Sequence, residues 1–431
     1  FGIKSGVEGG RGMTEFRIVS GCRACGAPAL LPVLDLGRVP LANALLTEDQ
    51  LALPERRFPL TVVFCPACSL VQLRETVDPE LLFGHYLYFS SYSETMLAHA
   101  RELAETLKET LALGPRSLVV EIASNDGYLL RNVVAAGIPA LGIEPARNVA
   151  AVAESRGVPT LCAFFDENLA RRLAAEGKRA DAIVANNVLA HVADLSGVAA
   201  GIAALLAPRG AAVVEFPYVL DLVEGCEFDT IYHEHLCYFS LHAVARLFAD
   251  HGLVVADAQR IPIHGGSLRV WLRQAGSRPE PAAAVERLLA EEHRRGMTAI
   301  GFYEGFAGAV RGVLSDLARE LARRKAAGQS LAAYGASAKG STLLNVCGIG
   351  KETLDFVADR SDVKQGLFTP GNHLPIVPPK TLLERRPDAV LLLTWNFAEE
   401  ILQQQRAYLN AGGVFVVPLP RVRTVGKEAL T

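Results

Sequence analysis

Several things are missing from this 431-residue chain, and each absence narrows what it can be. No run of about 18 uncharged apolar residues occurs, which removes a membrane-spanning helix. No secretory signal is found either, so the chain reads as soluble and cytoplasmic, with no membrane partner. The formal charge is only −3 and no dense basic stripe exists, which argues against nucleic acid as a partner. Neither of its two glycine-containing βα loops has G-x-G-x-x-G spacing, so a dinucleotide is not the expected cargo. Half the residues are nonetheless hydrophobic and about a fifth are charged, so large cores can form, in two or three domains. Phe1 to Gly12 precede an internal Met13 and read as a vector-derived leader outside the fold.

What is present is organised around residues 118–130. Leu118, Val119, Val120 and Ile122 form the short apolar run of a strand buried on both faces. Ser124-Asn125-Asp126-Gly127 supplies the turn, and a helical pattern then runs from Tyr128 to about Ala136. A strand, tight loop and helix in that order aim backbone N–H groups at a ligand, although an ordinary βαβ turn has the same pattern. Glu144 ends the next strand, where a carboxylate suits the two ribose hydroxyls of a nucleoside. The strand 182–186 carries Asn186 to the same edge, with His191 just beyond as a site residue or a helix-face residue. Phe164 and Phe165 can flank a flat ring.

Of eight cysteines, four form the pairs Cys22/Cys25 and Cys65/Cys68. Two such knuckles complete an S₄ tetrahedron suited to Zn²⁺, with no open position for a substrate, so the metal is structural. Redox chemistry is the alternative reading. The 39 residues between the pairs require an insert between the knuckles.

The segment 83–93, rich in tyrosine and serine and containing Tyr86, is a lid, a pocket wall or a packed linker. Tyr232-His233-Glu234-His235 places four groups able to hydrogen-bond or move protons in a row. Two histidines and a glutamate can suggest a metal, but H-x-H offers only two ligands on one face. General acid–base work suits an imidazole better at neutral pH, and a structural polar cluster is the remaining reading. Pro279 to Ala326 reads as a long, charged amphipathic helical stretch separating two lobes. Beyond it lies a second βαβ unit, in which Gly335 and Gly340 permit close backbone approach to a ligand while Ser337 and Lys339 suit phosphate.

Taken in order, the two cysteine pairs, E-I-A-S-N-D-G, Y-H-E-H-L-C-Y-F-S and Y-G-A-S-A-K-G-S-T-L-L-N resemble the zinc-containing, S-adenosylmethionine-dependent sugar C-methyltransferases over nearly the whole chain after Met13. One departure is Ala123, where the family more often has glycine. The resemblance implies an α/β protein of three parts: a zinc-binding domain (13–78), a class I methyltransferase domain of Rossmann-like fold (79–275), and a second Rossmann-like domain (276–431) that helps hold a nucleotide sugar. It implies S-adenosylmethionine and structural Zn²⁺ as cofactors, a nucleotide-sugar substrate such as a dTDP-sugar, and a monomer. Ser124, Asn125, Gly127, Glu144, Phe165 and Asn186 would contact the cofactor. Ser337, Lys339, Tyr334 and His233 would contact the substrate. His235 would be the base, with Tyr232 and His191 donating hydrogen bonds towards the enolate oxygen or sugar hydroxyls, Glu234 orienting a neighbouring side chain and Tyr86 closing the pocket. The competing readings are methylation of a different acidic carbon, a nucleotide-sugar oxidoreductase or epimerase, and a zinc-ribbon scaffold.

Overall fold

The computed structural model describes residues 15–78, 81–82, 91, 94–263, 265–277 and 280–430, the side chains of 429 and 430 aside. The expected leader, His264 and, but for Ser91, the segment 83–93 with Tyr86 lie outside the described residues.

Each cysteine pair sits on a turn closed by the backbone. Gly26 N–H bonds to the Cys22 carbonyl and Ser69 N–H to the Cys65 carbonyl, and Gly26 and Ser69 both have positive φ. Between the knuckles run β2 (Leu31–Val39) and β3 (Phe58–Phe64), paired antiparallel, and β4 (Val71–Leu73) joins β3. A separate pair, β1 (Phe16–Ile18) with β5 (Glu75–Val77), closes the small domain. The outer strand β11 (Cys237–Tyr238) is donated from far along the chain and pairs with β4. The catalytic-looking 232–238 stretch is therefore seated on the cysteine-rich domain.

The central sheet contains β6 (Val119–Ile122), β7 (Ala140–Ile143), β8 (Thr160–Leu161), β9 (Ala180–Asn186), β10 (Leu206–Pro217), β12 (Leu253–Ile261) and β13 (Ser267–Gln274). Their spatial order is β12-β13-β10-β9-β6-β7-β8. The strands β6 to β10 are mutually parallel, and β13 runs antiparallel to both its neighbours. One reversed strand inserted between the fifth and sixth is the class I methyltransferase arrangement. The strands' carboxyl ends, at Ile122, Ile143 and Asn186, lie along one edge, where α/β sheets hold ligands.

The C-terminal sheet has β14 (Leu331–Tyr334), β15 (Val357–Ala358), β16 (Ile376–Val377), β17 (Ala389–Leu392), β18 (Val414–Val417) and an antiparallel β19 (Arg423–Val425). The order β16-β15-β14-β17-β18-β19 is Rossmann-like. One continuous apolar core joins all three parts, from Leu60 and Val62 through Ile183 and Val214 to Leu343 and Leu391.

The helical stretch after Pro279 differs from expectation. It is two helices, Ala283–Arg294 and Ile300–Ala326, broken at Gly296, whose φ is +75°. The first packs on β12 and the second reaches β2. The first is pinned by Glu292, fully buried, which accepts bonds from the Tyr218 hydroxyl (2.9 Å) and the Leu241 and His242 N–H groups (2.6 and 3.0 Å). A charged helix face thus holds a buried network that amphipathic periodicity alone does not disclose.

Candidate active site

The loop after β6 is bent by three left-handed residues, Ala123 (φ 52°), Asn125 (φ 50°) and Gly127 (φ 75°). For a non-glycine residue that conformation costs roughly 1–2 kcal/mol. The Asn125 N–H is held by the Glu144 carboxylate at 3.0 Å, and a Cβ on Gly127 would come within 2.9 Å of Val158. Glu144 also accepts the Ala146 N–H at 2.8 Å. Burial raises its pKa while those two donors lower it, and the net shift is upward. It sits where the sequence places it, but two of its acceptor positions are engaged by backbone.

Polar atoms without partners mark the same edge. Both amide atoms of Asn186, the Ser124 hydroxyl, one oxygen of Asp126 and one of Glu121 are buried with no hydrogen bond among the described residues. Ser124 is fully buried, its side chain lying over Gly142, where any Cβ would collide with it. Buried polar groups are rarely left unpaired, so this cluster points to a polar ligand. The Phe165 ring packs on Gly201, whereas Phe164 is 68% exposed, so the two do not sandwich one ring.

Two features escaped the sequence reading. Glu121 interrupts an apolar strand, and burial, then Glu144, Asp126 and Glu215, push its carboxyl well above the usual range. Glu215 on β10 bonds His99 (2.7 Å) and Arg269 (2.6 Å) in a buried triad. Burial raises the Glu215 pKa, but His99 and Arg269 together more than offset that and hold it below normal. The charge inside the Leu118–Ile122 run was the available signal for Glu121; nothing local linked His99 to Arg269.

The row 232–235 divides between two directions. His235 and Tyr232 face each other: the Tyr232 hydroxyl is 2.9 Å from His235 Nε2, and His235 Nδ1 is 2.8 Å from the Thr230 carbonyl. A carbonyl only accepts, so Nδ1 carries the proton and Nε2 accepts from Tyr232. The His191 ring lies edge-on to His235 at 4.9 Å, and the Leu236 N–H bonds to the Ala190 carbonyl, which ties the pair to the end of β9. Burial lowers the His191 pKa to about 4, so it is neutral at physiological pH. His233 and Glu234 instead turn to the cysteine-rich domain. His233 Nε2 meets the Pro59 carbonyl at 3.1 Å, its ring packs edge-on to Phe58, and burial lowers its pKa to about 4. Glu234 accepts from Asn43 at 2.7 Å, and burial pushes its carboxyl up to about 7. His233, expected at the substrate, is thus a domain contact in this structure.

In the C-terminal unit, Ser337 caps the helix Ala338–Val346 by accepting the Gly340 N–H. Lys339 is 3.6 Å from Glu227, with its ammonium 5.2 Å from the centre of the Trp395 ring. Tyr334, expected at the substrate, is packed inside the sheet against Phe415, with its hydroxyl 3.4 Å from Gln405. Gly335 and Gly340 serve packing rather than ligand approach, since added Cβ atoms would strike Thr394 and Leu393.

The four paired cysteines converge as expected. Their sulfurs lie within 4.8 Å of one another, with Cys22–Cys68 at 3.4 Å and Cys25–Cys65 at 3.6 Å, and all are unbridged. A tetrahedral zinc with bonds near 2.3 Å would set its sulfurs roughly 3.8 Å apart, which this set fits with little movement.

The sheet order and the strained loop define the fold of a class I methyltransferase, joined to a four-cysteine set that fits Zn²⁺. Comparison with known proteins narrows this. Residues 22–83 match a zinc-binding domain model, 96–258 a methyltransferase domain model, and 262–420 the C-methyltransferase C-terminal domain model. The last match begins inside the β12–β13 hairpin, which by its pairing belongs to the central sheet. The chain is 39% identical to the C-methyltransferase NovU of Streptomyces niveus over 414 residues, covering 96% of this chain and 98% of that protein. Among solved structures it is similar to magnesium protoporphyrin IX methyltransferase from Synechocystis PCC 6803 with bound SAM (13% identity, 45% of this chain, 89% of that one, TM-score 0.31). It is also similar to the PH0226 protein of Pyrococcus horikoshii OT3 (14% identity, 45% and 98%, TM-score 0.36). The chain belongs to the C-methyltransferase family and is an S-adenosylmethionine-dependent C-methyltransferase.

Proposed function

We propose that the enzyme methylates the carbon beside a ketone, C3 of a 4-keto-deoxysugar nucleotide, in a branched-deoxysugar pathway. The observation that carries this reading is the Tyr232–His235–Thr230 chain of hydrogen bonds at the end of β9. Forming a carbon–carbon bond requires a carbon nucleophile, so a base must remove an acidic C–H proton. With Nδ1–H committed to Thr230, the Nε2 lone pair is the only basic position on His235, and the Tyr232 proton already points at it. The two act as one base: the proton leaving carbon ends on Nε2, directly or by way of the Tyr232 oxygen. Neutral His191 lies edge-on to His235, and with its one N–H directed at the Glu234 backbone carbonyl it would buttress the imidazole rather than donate to the enolate oxygen. S-adenosylmethionine supplies the electrophilic methyl when bound. Glu144, Asn186, Ser124, Asn125, Gly127 and Glu121 would hold it, with the unpaired atoms of Asn186 and Glu121 taking its polar groups. Lys339, with Ser337 at the helix start beside it, would turn from Glu227 towards the substrate diphosphate.

The test is to incubate a panel of keto-sugar nucleotides with enzyme in deuterated water and S-adenosylhomocysteine, and read deuterium uptake by mass. Exchange at the carbon next to the ketone, lost in His235→Ala, is the expected result. Exchange undiminished in that variant would remove His235 from the role. Methylation of a ketone lacking any nucleotide, with none of the panel used, would replace the sugar by another acidic carbon.

A further inference from the structure

The turn that holds the Thr230 carbonyl against His235 is itself held from another domain. Its residues Phe228–Thr230 form one helical turn, all buried, against the helix Ala338–Val346. Asp229, with no exposed surface, accepts the indole N–H of Trp395 at 2.7 Å, and its other oxygen has no hydrogen bond among the described residues. The face of that same indole lies 5.2 Å from the Lys339 ammonium, whose ion-pair partner Glu227 is two residues before Asp229. Burial raises Asp229 and Lys339 opposes it, leaving the carboxyl at about 6, so the cation is close enough to matter electrostatically. One aromatic side chain thus touches both the lysine expected to meet the diphosphate and the turn that sets the imidazole's tautomer.

We propose that Trp395 and Asp229 are a cross-domain pair of positioning residues for His235, through which an anion taken up by Lys339 is felt at the base. This rests on the readings of His235 and Lys339 given above. The physical argument is that a buried carboxylate needs compensation. With Lys339 drawn to an anion, the Trp395 N–H is the side-chain hydrogen bond that holds Asp229, beside the backbone N–H groups of its own turn. If that bond fails, the turn is released, the Thr230 carbonyl moves off Nδ1, and the proton can settle on Nε2, where it blocks the basic position.

The experiment compares the full-length enzyme with Trp395→Phe, Asp229→Ala and Asp229→Asn. Histidine ¹⁵N NMR reads the tautomer, the His235 signal being assigned by its loss in His235→Asn. Trp395→Phe and Asp229→Ala should populate Nε2–H and lower kcat about tenfold, a shift that a merely folded-or-unfolded effect would not produce. Cofactor affinity by calorimetry should stay constant. Asp229→Asn keeps an oxygen for the indole N–H and should retain the parent tautomer. An unchanged His235 tautomer in Trp395→Phe overturns the proposal, and that variant decides alone if Asp229→Ala does not fold. Parent-like turnover in His235→Asn would instead sink the base assignment, while the NMR arm still decides the coupling.

Discussion

At the scale of single residues, consecutive side chains divide the labour. Tyr232 and His235 make a hydrogen-bonded pair, the one proposed to handle the proton, while His233 and Glu234 between them bind a different domain. Replacing His235 by Ala should cost orders of magnitude in kcat and leave S-adenosylmethionine binding intact, measured by steady-state kinetics and calorimetry. Glu234→Gln should act on stability with a defined pH dependence. The Glu234 carboxyl is raised by burial from 4.5 to about 7. Its stabilising contribution is therefore full below about 4.5 and is lost as pH rises through 7. The variant should melt higher than the parent at pH 8, and the gain should shrink steadily as pH falls toward 4.5 in thermal scans. The chemistry of this row was legible in the sequence, because imidazole, phenol and carboxylate together are rarely idle. The direction of each side chain was not: residues outside regular structure have no period from which facing can be read. Tyr334 failed for a different reason, since one strand residue facing the core looks the same in sequence as one facing a ligand.

At the scale of elements, the cysteine knuckles, the β6 loop and Glu144 at the end of β7 could all be placed from local signals, as turn formers and short apolar runs are local properties. What escaped were long-range partners: β11 pairing with β4, and His99 meeting Arg269 through Glu215. Gly296 was visible, but the break it makes was hidden by helix-favouring charge on both sides. The helix Ala283–Arg294 depends on one of these unseen contacts. Glu292→Ala would orphan the Tyr218 hydroxyl and two backbone N–H groups in the core. Breaking such a buried network typically costs about 3–5 kcal/mol. Calorimetry should show that loss, with one zinc per chain retained.

For the whole molecule, the apolar core runs unbroken through three sheets, so no domain is a passive appendage. Zinc removal should show this. Chelation, or Cys65→Ser, should lower the melting temperature and loosen β3 and β4, and with them β11 and the Tyr232–His235 pair. S-adenosylmethionine binding, proposed at the carboxyl edge of the central sheet, should survive while turnover falls. Calorimetric titration beside a turnover assay checks the split, and equal loss of both would mean the zinc domain supports the entire fold. Among the described residues, no helix is long and apolar enough to cross a membrane.

The donated strand β11 also constrains how such enzymes can be recombined. A two-residue piece from the middle of the polypeptide completes a sheet written into its first 80 residues, so the segment proposed for catalysis and its seat must be inherited together. A chimera that swaps the amino-terminal third without matching Leu236–Tyr238 would graft a methyl-donor site onto a mismatched workbench, and directed evolution of new acceptors should find compensating changes on both sides of that seam.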